Sequence, residues 1–357
     1  MNINTCPEST IKVKDEKSVV LIILFLLVVI GGLFYVKWSP YYTKAFVAAS
    51  KHSIGASIIS GKSNIAPTFS LTAAFSYMAT YFNSVWKAVI LGLLIGSLVQ
   101  VAIPRNWIKK LIGNKGFGST LAAGALALPS MMCTCCAAPV TVGLRKSDAS
   151  PNAALAYLLG NPTLNPATII FMGFVLGWNF AIFRIVIGLI LVFGISTLAT
   201  KFIKEDVVNT KSDVFKIETV HESGNLFIRW MKTLLQLIID TIPTYIIVVG
   251  ILGALRVFLF PVINPAWGNS LGAIIGLGIA GTLFVIPTAG EIPIIQTLMT
   301  FGLGLGPAAA LLIALPAISL PSLLLVKRVF PTRVLVFVGS SVAVIGIISG
   351  FIGMVVL

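Results

Sequence analysis

Several stretches of this chain are long enough to cross a bilayer and carry no charged residue. Residues 19–36, 88–104 and 334–357 are examples, and no charge occurs anywhere between 292 and 326. About 20 apolar residues span the hydrocarbon core as a helix. In lipid the backbone must satisfy its own hydrogen bonds, so only helices and closed barrels cross. A barrel would alternate apolar and polar residues over ~10-residue strands, and no such alternation occurs. Charged residues make up 10% of the chain, against ~25% in soluble domains. The expected fold class is an all-α polytopic membrane protein.

The formal charge of +14 comes from 25 Lys and Arg against 11 Asp and Glu. In a soluble protein that excess would suggest nucleic acid. Here the basic residues flank apolar runs, where they set orientation. No basic–aromatic motif accompanies them, so no nucleic-acid partner is expected. The expected partners are a small-molecule substrate and the lipid bilayer, and a homo-oligomer is compatible with this composition. The run at 19–36 follows a mixed-charge tail and lacks an A-x-A site, so it is read as a retained span.

The chain reads as two related halves. The first contains "VWKAVILGLLIGSLVQVAIP", then "GSTLAAGALALPS", a cysteine cluster, "AAPVTVGL" and "SPNAALAYLLGNPTLNPATIIF". The second contains "IPTYIIVVGILGALRVFLFP", then "LGAIIGLGIAGTLFVIPTAGEIPIIQTL" and "GPAAALLIALPAISLPSLLLV". Pro129, Pro139, Pro151 and Pro166 find counterparts in Pro287, Pro293, Pro307 and Pro321. The basic loops swap sides between the halves. Arg105, Lys109, Lys110, Lys115, Arg145 and Lys146 face uncharged counterparts, whereas Lys327, Arg328 and Arg333 match an uncharged first-half turn. By the positive-inside rule the halves lie in opposite orientations. Inverted repeats place a transporter's substrate site near the bilayer midplane.

The resulting plan has a cytoplasmic tail at 1–18, a first span with an interfacial segment at 19–83, and a first repeat at 84–200. A cytoplasmic linker follows at 201–232, then the inverted second repeat at 233–357. Segment 116–145 starts and ends beside basic loops, so it is expected to be a re-entrant hairpin. Spans at 149–177 and 180–200 follow it. With two such hairpins and broken helices, about 7 full spans are expected, or 11 if the hairpin arms cross.

Chemistry concentrates at "PSMMCTCCAAPV". Pro129 and Pro139 bracket Cys133, Cys135 and Cys136 and oppose a regular helix through them. Non-helical backbone at membrane depth persists only where it is buried or lines a cavity. Thiolates bind soft species such as trivalent arsenic, Cu(I), Hg or Zn. A buried cysteine is more often only a small hydrophobe, but packing gives no reason to cluster three. In a helical tip Cys133 and Cys136 would share a face and Cys135 would point elsewhere. The fourth cysteine, Cys6, lies far away in the tail. "LGNPTLNPATI" carries Asn161-Pro162 and Asn165-Pro166, where prolines free carbonyls and the asparagines could satisfy freed groups or bind substrate. Pro287, Pro293 and Pro316 are expected to interrupt the second half. Glu291, in "TAGEIP", stands as a lone carboxylate at the second hairpin tip, which makes it the candidate for proton coupling. Asp240 and Arg256 are expected to be interfacial or paired. Lys87, His52 and His221 are expected to be interfacial or solvated.

The stretch "LPSMMCTCCAAPVTVGLRKSDASPNAALAYLLGNPTLNPATIIFMGFVLGW" resembles the ArsP-like, or YraQ-like, predicted permeases. "IPTAGEIPIIQTL" and "GPAAALLIALPAISLPSLLLVKR" fit the same family, and the resemblance covers roughly residues 70–350. It implies efflux of trivalent organoarsenicals, notably methylarsenite, across the inner membrane by a multi-pass permease. Cys133, Cys135 and Cys136 would be its arsenic-binding thiols. The chemistry agrees: two thiols can replace the two hydroxyls of methylarsenite, and three would serve inorganic arsenite. No cofactor, no resident metal and no enzyme activity are expected. The rival readings are a soft-metal (Cu/Zn) efflux transporter and a membrane thiol–disulfide oxidoreductase using Cys133 and Cys136. A water channel is disfavoured, because Asn165-Pro166-Ala167 and Asn264-Pro265-Ala266 do not occupy equivalent repeat positions. No P-loop occurs, so the energy for transport is expected to come from a gradient or from partners.

Overall fold

The computed structural model describes residues 22–59, 71–202, 226–259 and 268–357. The tail with Cys6, most of the linker with His221, and the loop with Asn264 lie outside the described residues. Every regular element among those described is helical. The all-α polytopic class is therefore as expected.

Helix α1 (Ile22–Lys51) lies outside the repeats and contains a π-turn at Phe34–Trp38. The first repeat begins with the long α2 (Leu71–Ala102) and the short amphipathic α3 (Arg105–Ile112). A hairpin follows, α4 (Phe117–Ser130) and α5 (Thr134–Lys146). Next come the paired short helices α6 (Pro151–Thr163) and α7 (Pro166–Val175), then α8 (Trp178–Phe202). The second repeat runs α9 (Leu226–Leu259), the hairpin α10 (Leu271–Leu283) and α11 (Glu291–Thr300), and the pair α12 (Leu305–Ala317) and α13 (Leu320–Val326). It closes with α14 (Thr332–Val356). Long helix, hairpin, divided helix, long helix: the order expected from the repeated sequence recurs in both halves.

Six stretches are long and apolar enough to cross a membrane. The span expected at 149–177 is absent from them because it is divided at Leu164-Asn165 into α6 and α7. Residues 39–51, part of the segment 38–83 expected to be interfacial, continue α1 as helix. Likewise α2 begins at Leu71, before the expected boundary at 84.

The divided helices form the core. Every residue of α6 is buried, and so is α12 from Gly306 to Ala317. α12 is apolar on all sides, which suits a helix with no solvent or lipid face, and the asparagines of α6, Asn152 and Asn161, donate hydrogen bonds inside the fold. Small residues let the layers approach. Gly92 and Gly96 of α2, spaced as G-x-x-x-G, lie against the α5 backbone, where a Cβ would collide with the carbonyls of Cys136 and Pro139. In the second half Gly346 and Gly350 of α14 take the same role against Ala310 and Ala314 of α12. The outward faces keep large apolar side chains exposed, such as Ile239, Ile247 and Phe258 of α9. That surface matches lipid.

Candidate functional site

The first hairpin turns through three residues. Met131 adopts a left-handed conformation (φ 48°) and ends α4. Cys133 is extended (φ −77°, ψ 168°) and is the N-cap of α5. Its carbonyl accepts from the amides of Cys136 and Ala137, so the helix starts directly behind it. Because Cys133 lies outside the helix, its side chain does not follow helical spacing. Its sulfur folds back over the first turn, 2.8 Å from Cys135 Sγ and 3.1 Å from Cys136 Sγ. The Cys135–Cys136 separation is 3.9 Å. The expectation that Cys135 points away from the other two is thus corrected: all three thiols converge. All three are free and buried. Two sulfurs of a tetrahedral ion with ~2.3 Å bonds sit roughly 3.8 Å apart, so small adjustments would let one soft centre bridge the trio.

Four breaks in the chain meet in front of Cys133. They are the two hairpin tips and the two divided-helix junctions. A cavity of about 10 Å³ lies among Cys133 and Thr134, Pro162 and Thr168, Thr288 and Glu291, and Pro316. That is room for roughly one water molecule. Thr134 Oγ1 lies 3.2 Å from Ser319 Oγ, joining the first tip to the second junction.

Arg184 of α8 organises this crossing. It is fully buried. Pro166 has no N–H, so the carbonyl of Pro162 loses its helical partner. The amide of Ala167, which would have served Thr163, is instead taken by Asn165 Oδ1 at 3.0 Å. Arg184 supplies both missing donors, with Nη2 to Pro162 O at 2.6 Å and Nε to Thr163 O at 3.0 Å. Its Nη1 donates to Glu291 Oε1, also at 2.6 Å. Glu291 is therefore not the lone carboxylate expected from the sequence. It is half of a buried ion pair that ties the second hairpin tip to the first junction. As the first residue of α11 it also sits at the positive end of that helix.

Each repeat holds the other's tip through a tyrosine. Pro139 leaves the carbonyl of Cys135 without a helical donor, and Tyr245 of α9 donates to it at 2.7 Å. Tyr77 of α2 donates to Val285 O in the unwound stretch before Glu291, at 2.5 Å. Tyr81 of α2 donates to the Cys135 sulfur at 3.1 Å. Helix α1 reaches both tips with adjacent residues. Lys37 Nζ donates to Thr288 Oγ1 and to Tyr41 Oη, each at 3.1 Å. Trp38 Nε1 donates to Pro129 O at 2.8 Å.

The asparagines serve the frame. Asn161 Oδ1 accepts from the amide of Met132, and its Nδ2 donates to Tyr157 O. Asn165 caps α7, and its Nδ2 is buried without a partner. Neither lines the cavity. The prolines divide into two groups. Pro129, Pro162 and Pro316 sit one residue from a helix end, Pro166 opens α7, and Pro287 lies in unwound chain. By contrast, Pro139 lies within a helix that continues past it, and Pro293 sits in the first turn of α11. Neither breaks its helix, which corrects the expectation of a break at these two: Pro139 frees one carbonyl, and Pro293 takes a first-turn position where no helical N–H is needed. Asp240 pairs with Arg328, as expected of a paired residue. The sequence reading missed Arg184 and Lys37, although a cation inside an apolar run is a signal in its own right.

A family model described as "Predicted permease" matches residues 18–139 and 129–356. The UPF0718 protein YraQ of Escherichia coli (strain K12) is 50% identical over 327 residues, covering 92% of this chain and 93% of that protein. The UPF0718 protein MJ0584 of Methanocaldococcus jannaschii is 24% identical over 336 residues, covering 76% of this chain and 92% of that protein. No solved structure matches.

Proposed function

The chain belongs to this family of predicted permeases, multi-pass membrane transporters, and from that premise we propose that it exports a thiophilic small solute across the inner membrane. Trivalent organoarsenicals such as methylarsenite are the cargo that suits it best. The observation that carries this reading is the convergence of Cys133, Cys135 and Cys136 beside a cavity where both repeats are unwound. Soft ligands at a midplane crossing of broken helices are what a carrier of soft cargo requires. Glu291 is the candidate coupling group. A proton on its carboxylate would release Arg184 and loosen the tie between second tip and first junction, so a gradient could drive the exchange of states.

The same three sulfurs favour a second reading, efflux of a soft metal ion, because the trio could also hold Cu(I) or Zn. Uptake of methylarsenite, arsenite and Cu(I) into everted vesicles, with and without a proton gradient, separates the two. Cys133 lies nearest both partners, so Cys133→Ser is expected to lose the most uptake, ahead of Cys135→Ser and Cys136→Ser. Normal uptake by the triple serine variant would end the thiol reading.

A further inference from the structure

Cys133 is the N-cap of α5, and Cys136 is the third residue of that helix. An N-cap side chain folds back over its helix's first turn, toward the third residue. Here that fold brings Cys133 Sγ to 3.1 Å from Cys136 Sγ. A disulfide of ~2.05 Å needs only about 1 Å of further approach. Cys135 Sγ is nearer still to Cys133, at 2.8 Å, but Tyr81 Oη donates to it and holds it in place. A bridge to Cys135 would also close a ring one residue smaller and more strained. Among the described residues, Cys136 Sγ has no hydrogen-bond partner except the other two sulfurs. Access differs among the three as well. Cys133 lines the crossing cavity, whereas Cys135 and Cys136 are fully buried and do not line it. The cavity holds roughly one water molecule, so a reagent that meets Cys133 there must be small.

We infer that the cysteine turn is a redox modification site, at which hydrogen peroxide oxidises Cys133 and Cys136 resolves the product to a Cys133–Cys136 disulfide that shuts off cargo binding. In the first step the Cys133 sulfur attacks one peroxide oxygen. The O–O bond breaks, and the departing hydroxide takes the thiol proton and leaves as water. The ammonium of Lys37, one hydrogen bond from the cavity through Thr288, favours the negative charge that develops on that hydroxide. In the second step the Cys136 sulfur attacks the sulfur of the sulfenic acid. The S–S bond forms, the S–O bond breaks, and a second water carries off the Cys136 proton. The two sulfurs together lose two electrons, and the peroxide gains them. Only Cys133 must be reached from the cavity, because Cys136 attacks from within. The consequence for transport rests on the thiol-permease reading. The disulfide removes two of three sulfurs, and Cys135 alone cannot bridge a soft centre. Bound cargo in turn occupies the sulfurs and protects them. Oxidation and loading are alternatives at one site.

The test uses purified full-length protein in lipid nanodiscs, in a Cys6→Ser background so that only the clustered thiols are read. The protein is treated with hydrogen peroxide, quenched, denatured, alkylated with iodoacetamide and read by peptide mass spectrometry. With all three clustered cysteines present, the expected product is a Cys133–Cys136 disulfide with Cys135 alkylated. Dithiothreitol should return all three thiols. Cys136→Ser should stop at a Cys133 sulfenic acid that dimedone traps, whereas Cys135→Ser should still form the disulfide. Methylarsenite at about ten times its Kd should slow oxidation about tenfold, in proportion to the free site. The oxidised protein should bind no methylarsenite until it is reduced. Three alkylated cysteines after peroxide would overturn the inference, and this arm needs none of the cluster variants to fold. A disulfide lost in Cys135→Ser but kept in Cys136→Ser would overturn the assigned pair. Oxidised protein that binds methylarsenite as well as the reduced form would overturn the switch. A disulfide that forms in protein unable to bind methylarsenite when reduced would remove the thiol-permease reading and leave the redox site standing.

Discussion

Two carbonyls and a carboxylate depend on Arg184. Replacing it by Gln strands the Glu291 carboxylate in a dry interior and leaves Pro162 O and Thr163 O without strong donors. Breaking a buried ion pair from one side costs about 3–5 kcal/mol, and each orphaned carbonyl adds about 1–3 kcal/mol. Arg184→Gln is therefore expected to lower the temperature at which the detergent-solubilised protein loses its monodisperse peak. Arg184→Gln combined with Glu291→Gln should recover part of the loss, because the stranded charge is gone. A double variant no more stable than Arg184→Gln would contradict the pairing. At this scale the sequence was partly legible. The three cysteines and Glu291 stood out as polar or soft residues in apolar surroundings. Their mutual geometry did not, because it depends on Cys133 standing one residue outside a helix. Arg184 was readable as a cation in an apolar run, but its duty toward Pro162 and Thr163 follows only from knowing which amides the break removes.

Among the elements, the contact between α2 and α5 sets where the thiols sit. Gly92 and Gly96 let the two backbones touch at Cys136 and Pro139. A valine at position 96 would force α5 away and displace the turn that carries Cys135 and Cys136. Overpacking of this kind costs about 1–3 kcal/mol. Gly96→Val should lower thermal stability by that amount and weaken methylarsenite binding, whereas Gly116→Ala, with open space around it, should do neither. Equal behaviour of the two variants would show that the close approach is unimportant. The repeated order of elements was legible because proline and hydropathy patterns survive divergence. The division of 149–177 was not, because Asn-Pro pairs inside an apolar run fit a kink as well as a break. What settles it is Asn165, whose side chain takes amides that would otherwise continue the helix.

For the whole molecule, the swapped basic loops predict that the two repeats lie upside down relative to one another. Single cysteines at Lys110 and Lys327, in a background free of other cysteines, should react with an impermeant maleimide only from the cytoplasmic side. Cysteines at Asn179 and Gly302 should react only from the opposite side. Finding Lys110 and Asn179 on one side would remove the inverted arrangement. The crossed tyrosines carry a consequence for how the molecule is made. A ribosome finishes the cysteine turn more than a hundred residues before it reaches Tyr245, the phenol that secures Cys135 from the other half. During that interval the newborn thiols wait in a hairpin missing one of its clasps, open to any soft species that reaches them. The second tip has no such wait, since Tyr77 is already in place when Val285 emerges. Biogenesis is thus lopsided in a molecule whose finished halves look alike, and the vulnerable half is the one synthesised first.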